Sequence, residues 1–302
     1  MRLHARLTAP ASQLLLLPLL ILLLATPARS QGFTEISGML VDVTNPSVAW
    51  GDFDNDGDLD ILLTGNDSGD EISILYENDG ASFGEFYTDL LDVENSSVAW
   101  GDYDNDGDLD ILLTGSDPGR TTRIYRNDGY DFTQISEMLE DVDESSVAWG
   151  DFDNDGDLDI LLTGEGNSDL ISKIYQNNEG SFVDIGSGLT GVSQSSVAWG
   201  DYDNDDDLDI LLTGNSDSGR VSLIYQNDNG IFTDISAGLP GVRESSAAWG
   251  DFDNDGDLDI LLTGSSDSGA ISRIYTNNGG IFTDIGAGLL GVEESSAAWG
   301  DY

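Results

Sequence analysis

Beyond its first thirty residues the chain places apolar residues in short runs separated by Gly, Asp, Asn and Ser, and these runs never settle into a helical spacing. "SVAWGDF" (47–53) is rich in β-branched and aromatic residues, and "LDILLTG" (59–65) is a continuous apolar run closed by glycine. "ISILYEN" (72–78) alternates, and "SFGEFYTDL" (82–90) is a second aromatic stretch. Runs of this length between turn-forming residues predict four β-strands. After residue 31 no segment sustains a 3.6-residue apolar period long enough for a helix.

The four-strand pattern then repeats. Trp50, Trp100, Trp149, Trp199, Trp249 and Trp299 are spaced 50, 49, 50, 50 and 50 residues apart. The one missing residue falls between Gly115 and Tyr125, among Ser, Asp, Pro and Gly, which marks a surface turn. Four short strands in a repeat of this size predict an all-β protein, a β-propeller of four-stranded blades, with five full repeats and a partial sixth. A β-solenoid is the alternative, but its coils are much shorter. Aromatics at a strict structural period, such as the tryptophans and the residues at the Tyr76 and Phe83 positions, are expected to pack between blades rather than stack on a ligand. The start "GFTEISGMLVDVTNPSVAWGDF" lies in the same phase as the end "IFTDIGAGLLGVEESSAAWGDY". Joined, they give a sixth blade without its middle strands. The chain is therefore expected to be a fragment of a longer propeller or an open arc, whose strand edges would invite self-association.

The first thirty residues differ. Arg2, His4 and Arg6 precede an apolar run from Leu14 to Ala25, broken by Pro18, and Ala28-Arg29-Ser30 offers a small-residue cleavage site. This layout predicts a signal peptide over 1–30, a mature repeat region over 31–302, and a secreted, extracellular or cell-surface product. A membrane anchor needs about twenty apolar residues, and no other segment approaches that. With 58 acidic and 10 basic side chains the formal charge is −48, which argues against nucleic acids and anionic membranes as partners. There is no cysteine, and His4, the single histidine, falls in the leader. Disulfide staples are therefore ruled out, and His-assisted or thiol catalysis and ordinary zinc sites lose their key residues. A non-enzymatic protein is expected.

The negative charge is concentrated. "DFDNDGDLD" at 52–60 recurs nearly unchanged at 102–110, 151–159, 201–209 and 251–259, and the five loops hold 26 aspartates. Carboxylates about 6 Å apart repel by roughly 0.7 kcal/mol per pair in bulk water, and by more near a protein surface. A bound cation turns that repulsion into attraction. Counting from Asp52, aspartates occupy the first, third, fifth, seventh and ninth positions (Asp52, Asp54, Asp56, Asp58, Asp60), with Gly57 at the sixth. Alternate oxygens around a sharp glycine bend suit Ca²⁺, which takes six to eight hard oxygen ligands, better than Mg²⁺. A helix-loop-helix calcium hand is excluded because its twelfth position, a glutamate there, is Leu63 here.

This loop at this period resembles the FG-GAP and VCBS repeats, the calcium-loop blades of integrin α-subunit propellers and of many exported microbial proteins. The likeness extends over residues 33–302 and rests on the loop and its flanking strands; the Phe-Gly and Gly-Ala-Pro elements that name the family are not visible. The resemblance implies side-chain ligands Asp52, Asp54, Asp56 and Asp60 with the carbonyl of Asp58. In the second loop it implies Asp102, Asp104, Asp106 and Asp110 with the carbonyl of Asp108, and in the third Asp151, Asp153, Asp155 and Asp159 with that of Asp157. The fifth has Asp251, Asp253, Asp255 and Asp259 with the carbonyl of Asp257. The fourth keeps Asp201, Asp203, Asp205, Asp207 and Asp209 but has Asp206 in place of glycine, so it is expected to be the weakest site. Four to five Ca²⁺ ions are expected. The function implied is an extracellular adhesion or ligand-binding module, with a lectin-like or carbohydrate-active propeller as the alternative and a protein or glycan as partner. Arg120, Arg123, Arg126, Arg220, Arg243 and Arg273 lie outside the loops and are expected on solvated faces.

Overall fold

The computed structural model describes residues 40–300 with the exception of Glu137, all within a compact body, Gly38–Tyr302. The expected leader lies outside the described residues. The first repeat is an antiparallel meander of β1 (Thr44–Gly51), β2 (Asp60–Asp67), β3 (Asp70–Asn78) and β4 (Phe83–Phe86), with Leu62 opposite Ala49 on one side and Leu75 on the other. Four further units, over residues 94–134, 143–184, 193–234 and 242–284, repeat the meander, and the described residues contain no helix.

The first and fourth strands end before their sequence patterns do. β1 ends at Gly51, because the Asp52 carboxylate accepts the N–H groups of Asp56 and Gly57 and turns the chain into the loop. Phe53 thus leaves the strand, yet its ring is 1% exposed. β4 ends at Phe86, and Leu90 and Val93 in the connection beyond it are buried in the core.

The core lies between units, which explains why the second strand is apolar at consecutive positions. Ile111 and Leu113 face Phe53, Leu62 and Leu75 of the preceding unit, whereas Leu112, from the opposite face of the same strand, packs with Val147, Ile160 and Leu162 of the following one. A sheet covered on both faces has no solvent side to reward alternation, and each such leucine contributes about 1.5–3 kcal/mol by burial. The tryptophans sit at these seams. The Trp149 indole lies over Gly101, where a Cβ would come within 2.7 Å of its Cδ1, and the same seat recurs for Trp100 on Gly51 and Trp199 on Gly150. Only a glycine admits an indole that close. Trp50 has no such glycine seat among the described residues and is 56% exposed.

First strands of successive units are also tied to one another, Val98 N donating to Ser47 Oγ (3.2 Å) and Val147 N to Ser97 Oγ (3.2 Å). Residues 293–300 continue the series, with Ala297 N donating to Ser246 Oγ at 3.1 Å and Trp299 seated on Gly250. Each of the five first strands carries a bulge with a left-handed residue (Asn45, Asn95, Glu144, Gln194 and Glu244), and these residues, with the left-handed Glu294, line one cavity of about 590 Å³. The arrangement is propeller-like, with equivalent first strands gathered about a common cavity.

The six arginines are half-buried, each keeping contact with solvent. Rather than facing solvent alone, each is paired with an acid: Arg120 with Asp143 (2.8 Å) and Glu165, Arg123 with Asp141 (3.0 Å), Arg126 with Asp128 (2.8 Å), Arg220 with Asp267 (2.8 Å), Arg243 with Glu244 (3.7 Å) and Arg273 with Asp284 (3.1 Å). On a chain this acidic, every arginine and lysine among the described residues has a carboxylate within reach.

Candidate metal centres

Each aspartate loop joins the first and second strands of its unit, and its backbone is held by its own carboxylates. The first-position aspartate accepts two N–H bonds in every loop, Asp151 from Asp155 and Gly156 at 3.0 Å each. The fifth-position carboxylate accepts the seventh-position N–H, as Asp155 does from Asp157 (2.9 Å). The ninth-position aspartate is fully buried and anchors the loop to the sheet: Asp159 Oδ2 accepts Phe152 N (3.0 Å) and Oδ1 accepts Asn177 N (2.8 Å). Left-handed residues shape the bend. The fourth position is asparagine at φ between 58° and 60°, and the sixth is glycine at 96° or 97° except in the fourth loop, where Asp206 adopts 73°.

This scaffold gathers part of the expected ligand set. In the first four loops the first, third and ninth aspartates (Asp52, Asp54, Asp60; Asp102, Asp104, Asp110; Asp151, Asp153, Asp159; Asp201, Asp203, Asp209) each offer an oxygen, and the three lie within 4.8 Å of one another. In the fifth loop the group is Asp251, Asp253 and Asp255, all exposed, and Asp259 is not part of it. The fifth-position carboxylate accepts the seventh-position N–H in all five loops, Asp255 from Asp257 at 3.0 Å included, and in the first four it lies outside the group. The seventh-position side chains turn outward: Asp157 Oδ2 accepts from Glu179 N (3.4 Å) and Asp207 Oδ2 from Asn229 N (3.1 Å).

The electrostatics are those of a site short of positive charge. Burial pushes the carboxyls of Asp110, Asp159 and Asp209 up to about 7, against the lowering effect of their two backbone N–H donors and with added repulsion from the third and fifth aspartates. Asp54, Asp104, Asp153 and Asp203 are also raised, burial again first. In the fourth loop Gln226 Nε2 donates to Asp203 Oδ2 (2.6 Å), while buried Asp203 Oδ1 has no hydrogen-bond partner. An orphaned acceptor among three converging carboxylates fits a hard divalent cation, whose charge would lower these pKa values and satisfy the free oxygen.

Two kinds of residue that hold the loops were not singled out from sequence. Asn127, Asn177, Asn227 and Asn277, at the ends of third strands, donate from Nδ2 to the second-position carbonyl of the loop in the preceding unit: Phe53 O, Tyr103 O, Phe152 O and Tyr202 O, at 2.8–3.0 Å. The fourth-position asparagines of the first four loops reach the following loop. Both recur in every unit, in "YEND", "YRND", "YQNN", "YQND" and "YTNN" and in each "DNDGD" or "DNDDD", so their period was the available signal.

These features define a class: a repeat protein of four-stranded antiparallel β-units, each with an aspartate loop between its first two strands. The family model of the FG-GAP-like repeat matches residues 52–113, 102–162, 151–212 and 207–262. The chain belongs to this FG-GAP-like repeat family. No curated protein sequence matches it. Among solved structures it is similar to an Agrocybe aegerita lectin, described for specific recognition of non-reducing terminal N-acetylglucosamine, at 19% identity and TM-score 0.52, covering 79% of this chain and 64% of the lectin. The V. cholerae biofilm matrix protein Bap1 matches at 16% identity and TM-score 0.46, over 80% of this chain and 38% of Bap1. A Bacillus licheniformis rhamnogalacturonan lyase matches at 14% identity and TM-score 0.36, over 79% and 59%. The chain thus spans under two thirds of the length of each of these proteins.

Proposed function

We propose that this protein is a secreted binding module, a propeller whose blades are held by Ca²⁺ in the aspartate loops and which presents surfaces for an extracellular protein or glycan. The observation that carries the reading is the convergence of three carboxylates within 4.8 Å in four successive loops. The first, third and ninth aspartates would hold the ion, with the seventh-position carbonyl completing the set. The ion supplies charge neutralisation, and because it binds the folded loop it stabilises the fold in proportion to occupancy. Residues 293–300 are taken as the first strand of a sixth blade, and the exposed Trp50 edge offers a route to self-association.

Thermal unfolding of the protein with Ca²⁺, Mg²⁺ or chelator, alongside a count of bound calcium, tests this. A calcium-specific rise in Tm with four or five ions bound supports it; no uptake and no shift rejects it. Glycan binding is the second reading, supported by the fold likeness to the N-acetylglucosamine-recognising lectin. A glycan array probed with calcium-loaded protein separates it from protein-directed adhesion.

A further inference from the structure

The loops are hydrogen-bonded to one another in series. Asn55 Nδ2 donates to Asp108 Oδ1 (2.8 Å) and Gly107 O (3.3 Å) of the next loop. Asn105 donates in the same way to Asp157 Oδ1 (2.9 Å) and Gly156 O (3.2 Å), and Asn154 to Asp207 Oδ1 (3.3 Å) and Asp206 O (3.1 Å). Asn204 reaches Asp257 Oδ1 at 3.1 Å. Each donor is the fourth residue of its loop, between the third and fifth aspartates. In the first three bridges the acceptors are the sixth-position carbonyl and the seventh-position carboxylate, which flank the sixth-to-seventh peptide next to the one that presents the seventh-position carbonyl; Asn204 bonds the carboxylate. Asn254 adopts the same backbone (φ 60°) but has no such partner among the described residues.

We propose that Asn55, Asn105, Asn154 and Asn204 are positioning residues that couple cation binding in adjacent loops. The inference rests on the calcium reading above and concerns how those sites are regulated. An ion held by the third-position aspartate of one loop fixes the asparagine that directly follows it. A fixed asparagine holds the next loop's sixth-to-seventh peptide in place before that loop is occupied. The next loop then gives up less conformational freedom on binding, so occupancy of one site raises the affinity of its neighbour, and by linkage the effect is reciprocal. The acceptor is a carboxylate, so each bridge is a charge-assisted bond, stronger than one between neutral groups. The seventh-position aspartates thereby gain a role for their side chains, which point between units rather than into their own loops.

The test is a calcium chloride titration of the full chain by calorimetry, with amide hydrogen exchange over residues 151–159, for wild type, Asn105→Gly and Asn254→Gly. Glycine keeps the left-handed backbone, so each loop retains its shape and loses only the amide. Wild type is expected to bind more steeply than independent sites would. Asn105→Gly is expected to lower the Hill coefficient, weaken the affected sites about 5-fold or more and speed exchange at Gly156 and Asp157, with the number of bound ions unchanged. Asn254→Gly should alter none of these. An unchanged isotherm in Asn105→Gly, or an equal loss in Asn254→Gly, overturns the coupling while leaving the calcium reading intact. No calcium uptake by wild type overturns both.

Discussion

The third and fifth loops have the same nine residues, DFDNDGDLD, and do not form the same site. In the third, Asp151, Asp153 and Asp159 converge and Phe152 is 3% exposed; in the fifth, Asp251, Asp253 and Asp255 converge at the surface and Phe252 is 44% exposed. The difference lies in what covers them. Asn227 Nδ2 holds Phe152 O at 3.0 Å and Asn154 is seated on the fourth loop, whereas no described residue does either for the fifth. A carboxylate cluster of this kind is therefore shared property: one unit supplies the carboxylates and the following unit helps to fix their geometry.

The largest effect that would sharpen this contrast comes from the buried anchor. Asp159→Ala orphans the N–H groups of Phe152 and Asn177, at about 1–3 kcal/mol each. Asp251→Ala, on an exposed carboxylate, should cost under about 1 kcal/mol. Denaturant unfolding in chelator measures both, and equal losses would mean that the exposed first-position carboxylate of the fifth loop is as integral to the fold as the buried ninth-position anchor of the third. Next is the indole seat. A Cβ on Gly150 would lie 2.5 Å from Trp199 Cδ1, so Gly150→Ala should cost about 1–3 kcal/mol by overpacking. Gly300, with nothing within 4 Å, should accept alanine without loss, and a comparable drop in Tm there would show that its surroundings are packed after all.

A third difference is in pH response. In chelator, Asp110, Asp159 and Asp209 hold protons more tightly folded than unfolded, with values raised from 3.8 to about 7. The folded state binds more protons across that window, so these groups favour folding most at its acid end and progressively less toward its neutral end. Their contribution makes the Tm in chelator fall as pH rises through the window, and saturating calcium should flatten or reverse the trend. A Tm in chelator that climbs toward neutral pH would count against uncompensated buried carboxyls. The smallest effect is expected at Asp206, left-handed at φ 73°: Asp206→Gly should relieve up to about 1 kcal/mol of strain and bring the fourth loop into line with the first three. A lower Tm would show that the Asp206 side chain contributes more than its backbone costs.

Much of the fold was legible from residue order. The tryptophan period, the apolar "DILLTG" run and the glycine-bounded strands specify repeated four-stranded units because strand formation and burial are local, periodic demands. The expected strand ends were less accurate: Phe53 and Leu90 belong to the core without belonging to strands, since burial does not require a strand backbone. The arginines, read as solvated, are paired with acids that lie elsewhere in the chain for all but Arg126 and Arg243, whose partners are near neighbours in sequence.

By itself the sequence determined that there are five acidic loops at one phase, that each must meet a cation or stay solvated, and that each opens onto an apolar strand. Charge, spacing and periodicity suffice for that. Only the tertiary structure decided which carboxylates come together, because that depends on amides contributed from about seventy-five positions away, such as Asn227 reaching Phe152. It also decided that the seventh aspartate serves the neighbouring unit. Identical nonapeptides fold into different centres because hydrogen-bond donors outside the loop hold one and not the other.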